Sequence, residues 1–182
     1  MILFFGPPGS GKSVQGKKLV EVNGWLWLST GLLFRQSDNP EVLSRLASGE
    51  LIDDELTNQV LDEALHDMNG TSNRVILDGY PRNVAQAEWL VKRLPEHGRE
   101  IATIIVFEVP NDELIKRLSG RGRAEDVPAV IERRLNIYHD KTQPLLDYFE
   151  SLGISVQRID GLGNVDQVHG RVEVALRSCI PG

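Results

Sequence analysis

A chain of 182 residues, 41% of them hydrophobic, suits one compact domain with a sizeable core and excludes two full domains. A net charge of −6 argues against wholesale nucleic-acid binding, which needs a basic face, so local arginine clusters must do any anion binding. Cys179 is the one cysteine, which excludes a disulfide framework or a cysteine-rich metal site within the chain.

The first strand-sized run, Met1 to Phe5, leads directly into Gly6-Pro7-Pro8-Gly9-Ser10-Gly11-Lys12-Ser13, a complete G-x-x-x-x-G-K-[ST] phosphate loop. Glycines let successive backbone N–H groups turn inward around phosphate oxygens. Lys12 adds charge at the β and γ positions, and Ser13 can reach Mg²⁺. The helix opening at Lys12 points its positive end at the same anion. The loop therefore implies a nucleoside triphosphate.

Trp25 to Ser29 reads as a further strand. A helical stretch between Gly31 and Met68, broken at Asn39-Pro40 and Gly49-Glu50, has no evident sheet role and reads as a small substrate flap. The strand Arg74 to Leu77 precedes a helix from about Asn83, and the strand Ile101 to Val109 precedes one from about Asn111. Gly120 to Asp126 is a glycine-hinged charged loop that reads as a short lid. The helix after it carries Ile131, Leu135, Tyr138, Leu145 and Phe149 on one apolar face, with Pro144 predicting a kink or break near Asp140 to Pro144. The strand Ile154 to Ile159 and a helix near Val165 to Arg177 close the chain. This alternation predicts an α/β fold, a three-layer P-loop NTPase type with a parallel sheet of about five strands. One domain spans 1–182, with a flap insertion at 29–58 and the lid at 120–127. The apolar run Ile2 to Phe5 is too short for a signal peptide, and no stretch approaches the roughly eighteen apolar residues of a membrane span. A soluble cytoplasmic protein is the expectation.

Asp78, at the end of an apolar strand, places a carboxylate beside the phosphate loop, where it can hold Mg²⁺ directly or through water. Gly79-Tyr80-Pro81-Arg82 supplies a residue without a side chain, a stiff turn and a guanidinium that can fork onto a phosphate. Gln86, four residues on, offers a donor and an acceptor to a base edge. His66, His97, His139 and His169 form no mutual pattern and read as structural or surface residues.

Taken together, the phosphate loop, Ser29-Thr30-Gly31 with Arg35, and Asp78-Gly79-Tyr80-Pro81-Arg82 with Gln86 resemble the adenylate kinase family of nucleoside monophosphate kinases. The resemblance covers nearly the whole chain. Gly120-Arg121-Gly122-Arg123 and Arg133-Arg134-Leu135 followed by Tyr138 resemble the lid and following helix of the short-lid members. It implies that Gly9, Ser10, Gly11, Lys12, Ser13 and Val14 contact ATP phosphates, with Arg117 a further phosphate-side arginine and Gly163 meeting the adenine. Lys12, Arg82, Arg121, Arg123 and Arg134 would serve the transferring phosphoryl group. Thr30, Gly31, Arg35, Arg82 and Gln86 would hold AMP, with help from Glu50, Leu51 and Ile52 and from Gly79, Tyr80 and Pro81. Ser13 and Asp78 would serve Mg²⁺, without zinc. The substrates would be ATP, AMP and ADP, handled by a monomer without nucleic-acid or membrane partners.

Two positions depart from the family pattern. The usual loop continues G-K-G-T, whereas here Lys12 is followed by Ser13-Val14, so the hydroxyl lies one residue earlier and Ser13 is expected to substitute. Leu32 stands where the family normally has Asp, which predicts weaker Mg²⁺ affinity unless Asp78, Asp53 or Asp54 compensates. The segment from Arg35 to Gly49 is also shorter than in common members. A UMP/CMP kinase remains an alternative on Pro81-Arg82-Asn83, although Thr30 with Gln86 favours adenine. A catalytically weakened nucleotide-binding switch is the other.

Overall fold

A computed structural model describes residues 1–68 and 74–179. The short apolar runs form five strands: β1 (Ile2–Phe5), β2 (Leu26–Ser29), β3 (Val75–Asp78), β4 (Thr103–Glu108) and β5 (Val156–Asp160). All pair in parallel, in the order β2-β3-β1-β4-β5. Between and after them lie α1 (Lys12–Asn23), α2 (Thr30–Arg35), α3 (Pro40–Ser48), α4 (Asp54–Asp67), α5 (Val84–Arg93), α6 (Asn111–Ser119), α7 (Pro128–Ser151) and α8 (Val165–Cys179). Among the described residues no helix is long and apolar enough to cross a membrane.

Parallel strands need crossover connections, and the crossover helices cover both faces of the sheet. Strand alternation then sends neighbouring residues into opposite cores. Leu3, Phe5, Leu77, Ile104 and Val106 pack with Leu61 and Leu65 of α4, Leu90 of α5 and Phe149 of α7. Ile2, Phe4, Ile76, Ile105 and Phe107 pack with Leu19 of α1 and with Val168, Val172 and Leu176 of α8. Burial on both sides is why these runs are apolar at almost every position.

The flap breaks fall where the sequence places them. Asn39 Oδ1 accepts from the Glu41 N–H at 2.9 Å with Pro40 opening α3, and Gly49 in a left-handed conformation ends it. Asp53 caps α4 by accepting from the Glu55 and Leu56 N–H groups. Phe34, Val42 and Ile52 form a small core belonging to the flap itself, with Leu46, Leu56 and Val60 packed around it.

Of the kink or break expected near Asp140 to Pro144, the break does not occur, since α7 continues as helix from Pro128 to Ser151. Proline removes one backbone donor at a cost of about 3 kcal/mol in a helix interior. Both halves of α7 are anchored against that cost: Ile131 and Leu135 pack on Leu114 and Leu118 of α6, while Leu145, Leu146 and Phe149 enter the main core.

β1 lies between β3 and β4, and the connection from β3 to β4 crosses over it, so the carboxyl ends of these strands open a crevice at a topological switch point. The register Phe4 to Asp78 sets the Asp78 carboxylate beside the start of the phosphate loop.

Phe149 is fully buried, edge-on to Phe5 with ring centroids 6.2 Å apart. Phe149→Ala is expected to lower unfolding free energy by about 3–5 kcal/mol in urea denaturation, through lost transfer energy and a residual cavity.

Candidate active site

The phosphate loop ends on Gly11 at the N-terminus of α1, where no side chain caps the helix, so its first N–H groups remain open to an anion. Lys12 folds back over the loop, donating from Nζ to the carbonyls of Gly6 at 2.6 Å and Pro7 at 3.0 Å. Burial pulls its pKa down to about 8, and the charges of Arg82, Arg134 and Arg121 add to the effect against the opposing Asp78. The Ser13 hydroxyl donates to Asp78 Oδ2 at 3.1 Å, joining the first turn of α1 to the end of β3.

Across the crevice, Gly79 adopts φ +85°, and a Cβ there would stand 2.9 Å from Thr30 Oγ1; both facts require glycine. Arg82 Nε donates to the Gly79 carbonyl at 2.8 Å, which aims the guanidinium along the cavity wall. Its side chain is open to solvent on the cavity side, and its pKa is depressed, first by desolvation against the surrounding walls and further by Arg35, with Asp78 opposing.

Gln86 is held by the protein around it. Its Oε1 accepts from the Arg82 N–H at 2.7 Å, its Nε2 donates to Asp54 Oδ1 at 2.7 Å, and it is only 2% exposed. The amide is therefore engaged within the protein at both ends, with one N–H and one lone pair left over. Asp54 also receives both bonds from Asn83 Nδ2, at 3.0 and 2.9 Å. Asp53 caps α4, Asp54 holds these amides, and neither is among the residues that line the cavity described below.

The lid and α7 contribute the remaining cations around one carboxylate. Glu125, 7% exposed, accepts from Arg35 Nη2 at 2.9 Å; Arg123 at 3.8 Å, Arg134 at 3.9 Å and Arg121 at 4.0 Å surround the same oxygen. Arg121 is also held by the Asp126 carboxylate, Nε to Oδ2 at 2.8 Å. Burial and then Arg121 bring Arg134 down to about 10, against the pull of Glu125. The fork of Arg117 is steadied by Glu113 at 2.9 Å and by the Gly161 carbonyl at 3.2 Å. Arg133 reaches the Ser48 carbonyl and Glu50, both at 3.3 Å, tying α7 to the flap.

These groups face one cavity of about 690 Å³, within the range of small-molecule sites. Gly9 through Val14, Gly31, Arg35, Glu50, Leu51, Asp78 through Arg82, Arg117, Arg121, Arg123, Arg134 and Gly163 line it. Thr30 and Ile52, like Gln86, lie behind the wall, and no histidine is among the described lining residues. Glu125, Tyr138 and Lys141 also line it. Sequence reasoning assigned them no part in the site. The signal for Glu125 was an acid set directly after the lid arginines.

Among the described residues no group of three or more His, Cys, Asp or Glu side chains converges as a metal cage. The Ser13 hydroxyl and Asp78 carboxylate are hard oxygen donors beside the phosphate loop, a set that fits Mg²⁺ held largely by substrate phosphates and water.

The sequence profile described as adenylate kinase matches residues 4–154. A protein named adenylate kinase from Mycobacterium ulcerans (strain Agy99) is 40% identical over 181 residues, covering 96% of this chain and 98% of the relative. The adenylate kinase of Mycobacterium tuberculosis (strain ATCC 25618 / H37Rv) is 39% identical with the same coverage. With the phosphate loop, Gly79 to Arg82 and the guanidinium groups of Arg121, Arg123 and Arg134 gathered on one cavity, and with relatives matched over almost their whole length, this chain belongs to the adenylate kinase family.

Proposed function

We propose that this chain catalyses reversible transfer of the γ-phosphoryl group of ATP to AMP, giving two ADP. The observation that carries this reading is the convergence of Lys12, Arg82 and the lid arginines on a single cavity beside the open N-terminus of α1. A triphosphate site alone needs the loop and Lys12. Arg35 and Arg82 on the opposite wall make sense for a second, phosphate-bearing substrate.

Two phosphate groups repel, so their approach requires cations placed in advance in a site where water is scarce. Lys12, Arg82, Arg121, Arg123 and Arg134 supply them. The attacking oxygen belongs to a phosphate whose second pKa is about 6, so it is ionised at neutral pH and needs no general base. Catalysis is then positioning and charge stabilisation of an in-line transfer. Ser13 and Asp78 would hold Mg²⁺, which when bound neutralises charge between the β- and γ-phosphoryl oxygens. On the acceptor side, Arg35 and Arg82 take the AMP phosphate, while Thr30 and Gln86 shape the wall behind the base. We extend the reading to a monomer acting on free nucleotides in the cytoplasm, without nucleic-acid partners.

A coupled assay with ATP and each monophosphate in turn is expected to give turnover with AMP. Turnover with CMP or UMP instead, or nucleotide binding without turnover, refutes the assignment.

Phosphate binding should raise the Lys12 pKa from about 8, so ATP binding above that pH takes up a proton. The uptake is expected to be larger at pH 8.5 than at pH 7, where Lys12 is already mostly protonated. Titration calorimetry in two buffers of different ionisation enthalpy measures it, and Lys12→Arg should abolish the pH 8.5 uptake.

Ser13→Ala should raise the Mg²⁺ concentration for half-maximal rate about tenfold, or ~1.4 kcal/mol, whereas Leu32→Asp should lower it. An Mg²⁺ titration of the rate unchanged by Ser13→Ala counts against Ser13 as the replacement hydroxyl.

A further inference from the structure

Asp54 opens α4, near the end of the flap, and is remote in sequence from Asn83 and Gln86, yet three hydrogen bonds from those two side chains end on its carboxylate. One turn further along α4, Asn58 accepts from the Tyr80 hydroxyl, which also reaches the Gln86 carbonyl at 3.1 Å. Residues four apart share a helix face, so α4 presents Asp54 and Asn58 together to the segment that carries Tyr80, Arg82 and Gln86.

The chemistry of the two ends fixes the Gln86 amide in one sense. An ionised carboxylate only accepts, so the nitrogen must face Asp54; a backbone N–H only donates, so the oxygen must face Arg82. A flipped amide loses both bonds, each at 2.7 Å, in a site where Gln86 is almost fully buried. One N–H and one lone pair remain on the amide, and their order is set by the same two bonds. For a base whose orientation is fixed by its phosphate, adenine needs one order of donor and acceptor along the edge and guanine needs the reverse.

We propose that Asp54 is a positioning and specificity-determining residue of the acceptor site, fixing the donor–acceptor order of Gln86 and, through Gln86 Oε1, the backbone of Arg82. This rests on the reading of Arg82 and Gln86 as acceptor-side residues. It also gives the flap a direct link to the acceptor loop, because the first turn of α4 lies within the 29–58 insertion.

The test is the rate with AMP and with GMP, each at saturating ATP, for Asp54→Asn, whose side chain can both donate and accept and so leaves the Arg82 N–H alone to hold the amide's sense. The expected result is a KM for AMP about tenfold higher, a KM for ATP unchanged, and a preference for AMP over GMP reduced about tenfold. A preference that stays at the wild-type value overturns the proposal, as does an equal rise in both KM values, which a merely structural role would produce. Gln86→Ala separates the two layers of inference. If it leaves the AMP preference intact, the reading of Gln86 fails; if it abolishes the preference while Asp54→Asn keeps it, only the role of Asp54 fails. Should Asp54→Asn not fold, the wild type supplies the answer through hydrogen exchange of the Gln86 side-chain amide. Exchange slowed at least tenfold relative to exposed Gln36 supports the proposal, and exchange at the rate of Gln36 overturns it.

Discussion

Gathering like charges around a space meant for anions is the constraint on which this structure turns. Lys12, Arg35, Arg82, Arg121, Arg123 and Arg134 all face one cavity, and each would repel the others in a medium of low dielectric. Internal acceptors hold them in place. Lys12 takes two loop carbonyls, Arg82 the Gly79 carbonyl and Arg35 the Gly31 carbonyl, while Glu125 and Asp126 spread negative charge through the lid. The depressed pKa values of Lys12 and Arg134 record what burial and crowding cost the charged forms. That cost is stored against the arrival of phosphates, which can offset it.

The sheet is what makes such an arrangement rigid. Strands buried on both faces leave their carboxyl ends as fixed points, and the pairing of β1 with β3 sets the phosphate loop and Asp78 side by side. The helices then divide the labour. α1 offers an open N-terminus, α4 and α5 hold the acceptor loop through Asp54 and Asn83, and α7 carries Arg134 to the lid while its far end is locked in the main core.

Much of this is legible in the chain because it depends on neighbours. The loop spacing, the Asn39-Pro40 and Gly49 breaks and the apolar strand runs are local signals, and the structure follows each of them. What escapes sequence reasoning depends on distant partners. Gln86 looks free until Asp54, 32 residues earlier, is brought against it, and Glu125 is one more lid charge until Arg35, 90 residues away, meets it. Pro144 leaves α7 unbroken for the same reason. Its effect on a helix is local, but the packing of Leu145, Leu146 and Phe149 that overrides it is not.

The small core formed by Phe34, Val42 and Ile52 closes the flap upon itself rather than upon the sheet. The ties that join this module to the lid and to α7, Arg35 to Glu125 and Arg133 to Glu50, are polar. Ion pairs exchange for water far more cheaply than a packed core comes apart, so the flap can part from these neighbours while keeping its own fold.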